Sequence, residues 1–197
     1  MKQRIDSLEN RIKKLCENNR FKHYKWYYKY HLQIVSHICD KLVDKYPNAN
    51  KDVVRVLVWL HDLGKIISAD DPDKATLTEG KKLLESLGFD KAFVIQVIEF
   101  CDLIDSSPNF ERAPLEIQIV SSADGASHFI GPFYGLYWYE NPDIAIEKIM
   151  LSNIAKAEKD LKKKIVLPEI KKWVKSRFDI TTEQNSSNLS NFIKESL

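Results

Sequence analysis

Apolar residues recur along this chain at spacings of three and four, and little interrupts them: 6 Gly and 7 Pro fall in 197 residues. A turn-rich β protein needs many more breaks, so the pattern predicts long helices and an all-α fold. Ile5, Leu8, Ile12 and Leu15 form the first such seam. It is expected to pack against the main body, with a partner contact as the alternative. With hydrophobic residues at 44% and charged residues at 29%, the composition excludes wholesale disorder. The length suits a single helical domain over residues 1–180, followed by a flexible polar tail at 181–197.

Between these limits the chain reads as a succession of helices. Phe21 to Tyr30 interleaves aromatic rings with lysines, expected to pack rather than stack on bases, and runs on through His31 to Val43. Asp52 is the expected N-cap of a buried helix rich in Val, with Gly64 as its C-terminal stop. Ser68–Lys74 reads as an acidic loop, Thr76–Leu87 and Asp90–Leu103 as helices, and Leu115–Phe129 as a further apolar helix. Gly131–Asn141 reads as an aromatic loop, Pro142 as the start of a helix reaching Lys164, and Pro168–Phe178 as the last helix.

Charge and cysteines exclude several function classes. A net charge of +2 offers no general case for a nucleic-acid binder. Cys16, Cys39 and Cys101 are odd in number and widely spaced, which predicts reduced thiols rather than a disulfide framework or zinc ribbon. Neither a secretory h-region nor a membrane-length apolar run occurs, so the expected compartment is cytoplasmic and no membrane partner is expected.

The chemistry concentrates at Val58-Trp59-Leu60-His61-Asp62-Leu63-Gly64-Lys65. A carboxylate ending an apolar helix needs a positive partner, either a divalent cation or Lys65 one turn on. His31 lies 30 positions earlier (61 − 31) in an amphipathic helix, and Asp124 ends the apolar run Ile117–Ala123. Two imidazoles and two carboxylates would suit Mn²⁺, Fe²⁺, Co²⁺, Ni²⁺ or Zn²⁺ better than Ca²⁺.

The order His31…His61-Asp62-Leu63-Gly64-Lys65…Ala123-Asp124 resembles the HD superfamily of metal-dependent phosphohydrolases, over roughly residues 20 to 165. That resemblance implies an HD-domain-like helical bundle with additional N- and C-terminal helices. It implies His31, His61, Asp62 and Asp124 as ligands of one divalent ion, with Mg²⁺ added to the list above. Two-metal members carry further histidines after the His-Asp pair; here Val97–Asp102 offers Cys101, and no His falls between His61 and His128, which favours a single ion.

The expected function is metal-dependent hydrolysis of a small phosphate ester, a nucleotide among the candidates, with Asp62 and Lys65 as catalytic residues. Lys65 would neutralise substrate phosphate or, alternatively, complement the helix dipole. His128 shares a face with Asp124 and is read as a structural histidine, with a place in the site or the orienting of a ligand as the alternative, and His23 and His37 are read as surface or packing residues. Glu79 and Asp102 are read as solvated, with an acid/base role as the alternative. The lysine run from Lys156 to Lys175 is read as a solvated helix surface. Two other classes compete: a catalytically silent interaction module of the same fold, and an RNA-binding helical protein.

Overall fold

The computed structural model describes residues 1–68, 70–106 and 110–186. Its helices are α1 (Lys2–Cys16), α2 (Gln33–Lys45), α3 (Lys51–Leu60), α4 (Leu63–Ile67), α5 (Pro72–Ser86), α6 (Lys91–Ser106), α7 (Leu115–Ile130), α8 (Phe133–Glu140), α9 (Ile146–Lys159) and α10 (Pro168–Gln184). A π-helical turn over Tyr28–Leu32 leads into α2, and a second over Asp160–Lys164 follows α9. No strand occurs among the described residues, so the fold is all-α. None of their helices is long and apolar enough to cross a membrane.

The core is built around α7, which packs against α2, α3 and α10. Ile117, Ile119, Val120, Ala123 and Ala126 of α7 are fully buried, as are Val53, Val54, Val56 and Leu57 of α3. Valines have modest helix propensity, but burial on every side outweighs it. Ile5, Leu8 and Ile12 are also buried, and α1 packs on α3 and α4, so this seam belongs to the core. All three cysteines are buried and free of disulfides.

Several boundaries differ from the sequence expectation, each for a local reason. Asn50, not Asp52, caps α3: its Oδ1 accepts from the amides of Asp52 at 3.1 Å and Val53 at 3.3 Å. Asp52 lies in the first turn, where its charge complements the helix dipole. Helix α5 begins at Pro72 with Asp71 as its cap, which shortens the acidic loop. The aromatic stretch after Pro132 is helical as α8, because Phe133, Tyr134 and Leu136 pack against the core. The following helix starts at Ile146 rather than Pro142. At the C-terminal end α10 runs to Gln184, and buried Asn185 accepts a hydrogen bond from Asn153 at 2.9 Å. Helix therefore extends into the stretch read as a spacer, while residues 187–197 of that tail lie outside the described residues.

Gly64 does not end α3, which stops at Leu60; it lies inside α4. A Cβ there would stand 1.7 Å from the Pro72 carbonyl oxygen and 2.7 Å from Thr76 Oγ1. The missing side chain lets α4 press against the first turn of α5, where the Gly64 amide donates to Thr76 Oγ1 at 2.9 Å. Backbone cannot yield as a flexible side chain can, so Gly64→Ala is expected to destabilise the fold by at least about 2 kcal/mol. A urea unfolding midpoint within error of wild type would contradict this.

Candidate metal centre

Each chemically interesting side chain sits where the backbone departs from a plain helix or where α7 meets a neighbour. His31 lies within the Tyr28–Leu32 π turn, a feature that re-aims a side chain relative to regular helical register. His61 and Asp62 occupy the corner between α3 and α4. Asp124 and His128 are one turn apart on α7. Gly125 follows Asp124 because the Asp160–Lys164 turn crosses closely there: a Cβ would lie 2.9 Å from Ile165 Cγ1 and 3.1 Å from Lys164 Cβ. Ser121 and Ser122 pin that crossing. Ser121 donates to the Lys164 carbonyl at 3.0 Å, and Ser122 Oγ accepts from the amides of Val166 at 3.1 Å and Leu167 at 3.2 Å.

Three imidazoles converge, and the hydrogen bonds behind them assign their protons. His61 Nδ1 faces the Val58 carbonyl at 2.9 Å and must donate to it. Ser127 Oγ gives its hydrogen to the Asp124 carbonyl at 2.7 Å, so it accepts from His31 Nδ1 at 3.0 Å. His128 Nδ1 faces Asp160 Oδ2 at 2.8 Å and donates to it. In the neutral form of each ring, Nε2 is thereby left as a lone pair turned toward a carboxylate oxygen. His31 Nε2 and His61 Nε2 each lie 3.3 Å from Asp62 Oδ2. Asp124 Oδ1 is 3.6 Å from His31 Nε2 and 3.7 Å from His128 Nε2.

Lone pairs facing carboxylates repel unless a cation lies between them. His61 Nε2 is buried with no hydrogen-bond partner, the kind of orphaned atom that folded proteins avoid. Neighbouring ligands at about 2.1 Å from an octahedral ion stand about 3.0 Å apart, and opposite ones about 4.2 Å. The observed separations fall within that span, and the mixed nitrogen and oxygen donors fit a divalent transition metal. The candidate ligand groups are His31, His61 and Asp62, and His31, Asp124 and His128.

Charge balance keeps the site ionised although it is buried. Burial favours a neutral Asp62, yet Lys65 and His61 beside it hold the carboxyl well below the usual range. Asp124 behaves likewise, with Lys164 foremost in outweighing burial. Burial disfavours the charged form of His61, but the Asp62 carboxylate raises its pKa above the ordinary value. His128 is pushed down to about 4, chiefly by burial, and so is a neutral ring near neutral pH. Each aspartate has its own ammonium: Lys65 pairs with Asp62, Lys164 with Asp124, and Lys156 with Asp160 at 2.6 Å. Tyr27 donates to Asp62 Oδ2, tying down that carboxylate.

The cluster opens into a cavity of about 920 Å³. Lys65, Lys156 and Lys164 line one part of it, and Trp26, Phe133 and Tyr137 form an aromatic wall.

The structure places Asp62 beside His31, His61 and Lys65, and Asp124 beside His31, in two potential ligand triads that share His31 rather than in one set of four. It also corrects the sequence reading. His128 is part of the cluster, its ring stacked 5.2 Å from His31 at an interplanar angle of 3°. Lys156 and Lys164 are not merely solvated; both turn inward to buried aspartates. Asp160 is completely buried and was not singled out. Its signal was an aspartate four residues after Lys156 on the apolar side of a helix. Cys101 lies in the core, outside the residues lining the cavity. His23 pairs with Glu140 at the cavity rim, His37 is exposed, Glu79 pairs with Lys82 at 2.7 Å in solvent, and Asp102 is exposed.

A family model described as HD domain matches residues 28–127. No curated protein and no solved structure matches the chain.

The pairing of Lys164 with Asp124 makes a specific prediction. Lys164→Met strands a buried carboxylate and is expected to lose about 3 kcal/mol of stability in the presence of chelator. A divalent ion should restore part of that loss by taking over the countercharge. Urea denaturation with EDTA and with Mn²⁺ measures both effects.

Proposed function

Because the chain belongs to the HD domain family, whose model covers residues 28–127, we propose that it is a phosphohydrolase dependent on one divalent metal ion, acting on a small phosphate ester, with nucleotides in the candidate class. The observation that carries this reading is the buried, partnerless Nε2 of His61 facing the Asp62 carboxylate, beside His31 and Asp124. His31, His61, Asp62 and Asp124 would hold the ion. When bound, such an ion supplies an acidified water and polarises the phosphate ester for in-line displacement.

The residues around it have separate tasks. Val58 and Ser127 hold His61 and His31 in the tautomer that frees Nε2. Asp62 presents Oδ2 to the two rings and Oδ1 to Lys65, so one carboxylate links the metal-holding groups to a cation at the cavity wall. Lys65 is half exposed and stands where it can balance charge on a phosphate entering the cavity. Lys164 and Lys156 add two further lysines to the cavity lining. Trp26, Phe133 and Tyr137 offer apolar area for the rest of the substrate.

Protein reconstituted with Mn²⁺, Co²⁺ or Ni²⁺ is expected to take up the ion stoichiometrically and to hydrolyse at least one member of a phosphate-ester panel. His61→Ala and Asp62→Asn should abolish both properties. Lys65→Ala should retain the ion and lose about 100-fold in turnover. Absence of stoichiometric uptake by wild type, measured by metal analysis, would overturn the reading.

A further inference from the structure

His128 is buried beside His31 and Asp124, two of the four residues assigned above, and its surroundings define its state more fully than sequence spacing can. Behind the ring lies Asp160, fully buried, 2.8 Å from Nδ1. Lys156 donates to Asp160 Oδ1 at 2.7 Å and to Oδ2 at 2.6 Å. Lys156 Nζ is also 3.0 Å from His128 Nδ1. Were Lys156 to donate there instead, a bare Nδ1 would confront Asp160 Oδ2 at 2.8 Å without a hydrogen between them. The proton therefore sits on Nδ1, and the front of the ring presents a lone pair.

That front faces Asp124 Oδ1 at 3.7 Å, too far for a hydrogen bond. A ring acting only to brace Asp124 would direct an N–H at it from closer range. Instead the His31 and His128 rings lie parallel, and both Nε2 atoms flank the same Asp124 oxygen, at 3.6 Å and 3.7 Å. Phe133 packs 4.1 Å from the His128 ring and fixes its plane. The arrangement repeats that of His61, with one nitrogen committed to a protein acceptor and the other aimed at a carboxylate.

Resting on the proposed metal dependence, we infer that His128 is itself a metal ligand, so that the centre carries three imidazoles, with Asp160 and Lys156 as the groups that position the third. The cation that this pocket accepts is thus held from α7 by two residues, Asp124 and His128, one helical turn apart.

The test counts coordinated rings. In Co²⁺-loaded protein, each coordinated imidazole that keeps its Nδ1 hydrogen gives one strongly shifted, exchangeable N–H resonance in the proton spectrum, assignable with ¹⁵N-labelled histidine. Wild type is expected to show three such signals, and His128→Gln two. Two signals in wild type, or three remaining in His128→Gln, would overturn the assignment of His128 while leaving the metal reading intact. Failure of wild type to take up Co²⁺ would overturn both. The wild-type count stands even if the variant does not fold.

Discussion

Three buried aspartates meeting inside one helical bundle would be untenable without compensation, and the architecture of this protein is organised around supplying it. A carboxylate removed from water without a partner is severely penalised. Here Asp62, Asp124 and Asp160 each receive an ammonium from a different place in the chain: Lys65 from α4, Lys164 from the turn after α9, and Lys156 from α9 itself. Lys65, Lys156 and Lys164 all line the cavity, as do His31 and His128. The carboxylates thus stay ionised at the boundary between an apolar core and a space large enough for a small molecule.

The backbone around this boundary is irregular, and each irregularity has a job. A π turn places His31, a second π turn delivers Asp160 and Lys164, and the corner between α3 and α4 presents His61 and Asp62. Glycines at 64 and 125 permit the close backbone approaches that these placements need. Helix α7 supplies Ser121, Ser122, Asp124, Ser127 and His128 from a segment that is buried along nearly its whole length. So many polar groups inside one buried helix are tolerable because each has a partner or faces the cluster. The same partners set the histidine tautomers, which links packing of the core directly to the chemistry of the site.

Much of the site was legible from local pattern. His61-Asp62 and Asp124 stood out because charge at the end of an apolar run is anomalous, and His31 through its place in the order of residues that resembles the HD superfamily. His128 and Asp160 were harder to read. A histidine four residues from an aspartate is common in helices, and Asp160 looked like one more charge in a lysine-rich stretch. Lys164 could not be separated from its solvated neighbours, because its partner lies 40 positions away along the chain. Boundaries failed where tertiary packing overrode local signals: Gly and Pro around Phe133–Glu140 suggested a loop, but the rings found a core to pack against.

The amino-acid sequence alone determined the helical class and the seams that form the core, and its resemblance to the HD superfamily singled out four residues as candidate ligands of a cation. The first two follow from periodicity, a property of neighbouring residues. Tertiary structure alone decided which lysine neutralises which aspartate, which nitrogen of each histidine carries its proton, and that His128 faces the same carboxylate as His31. Those outcomes depend on contacts between segments distant along the chain, where energies of charge and hydrogen bonding are set by separations of a few ångströms that no local pattern encodes.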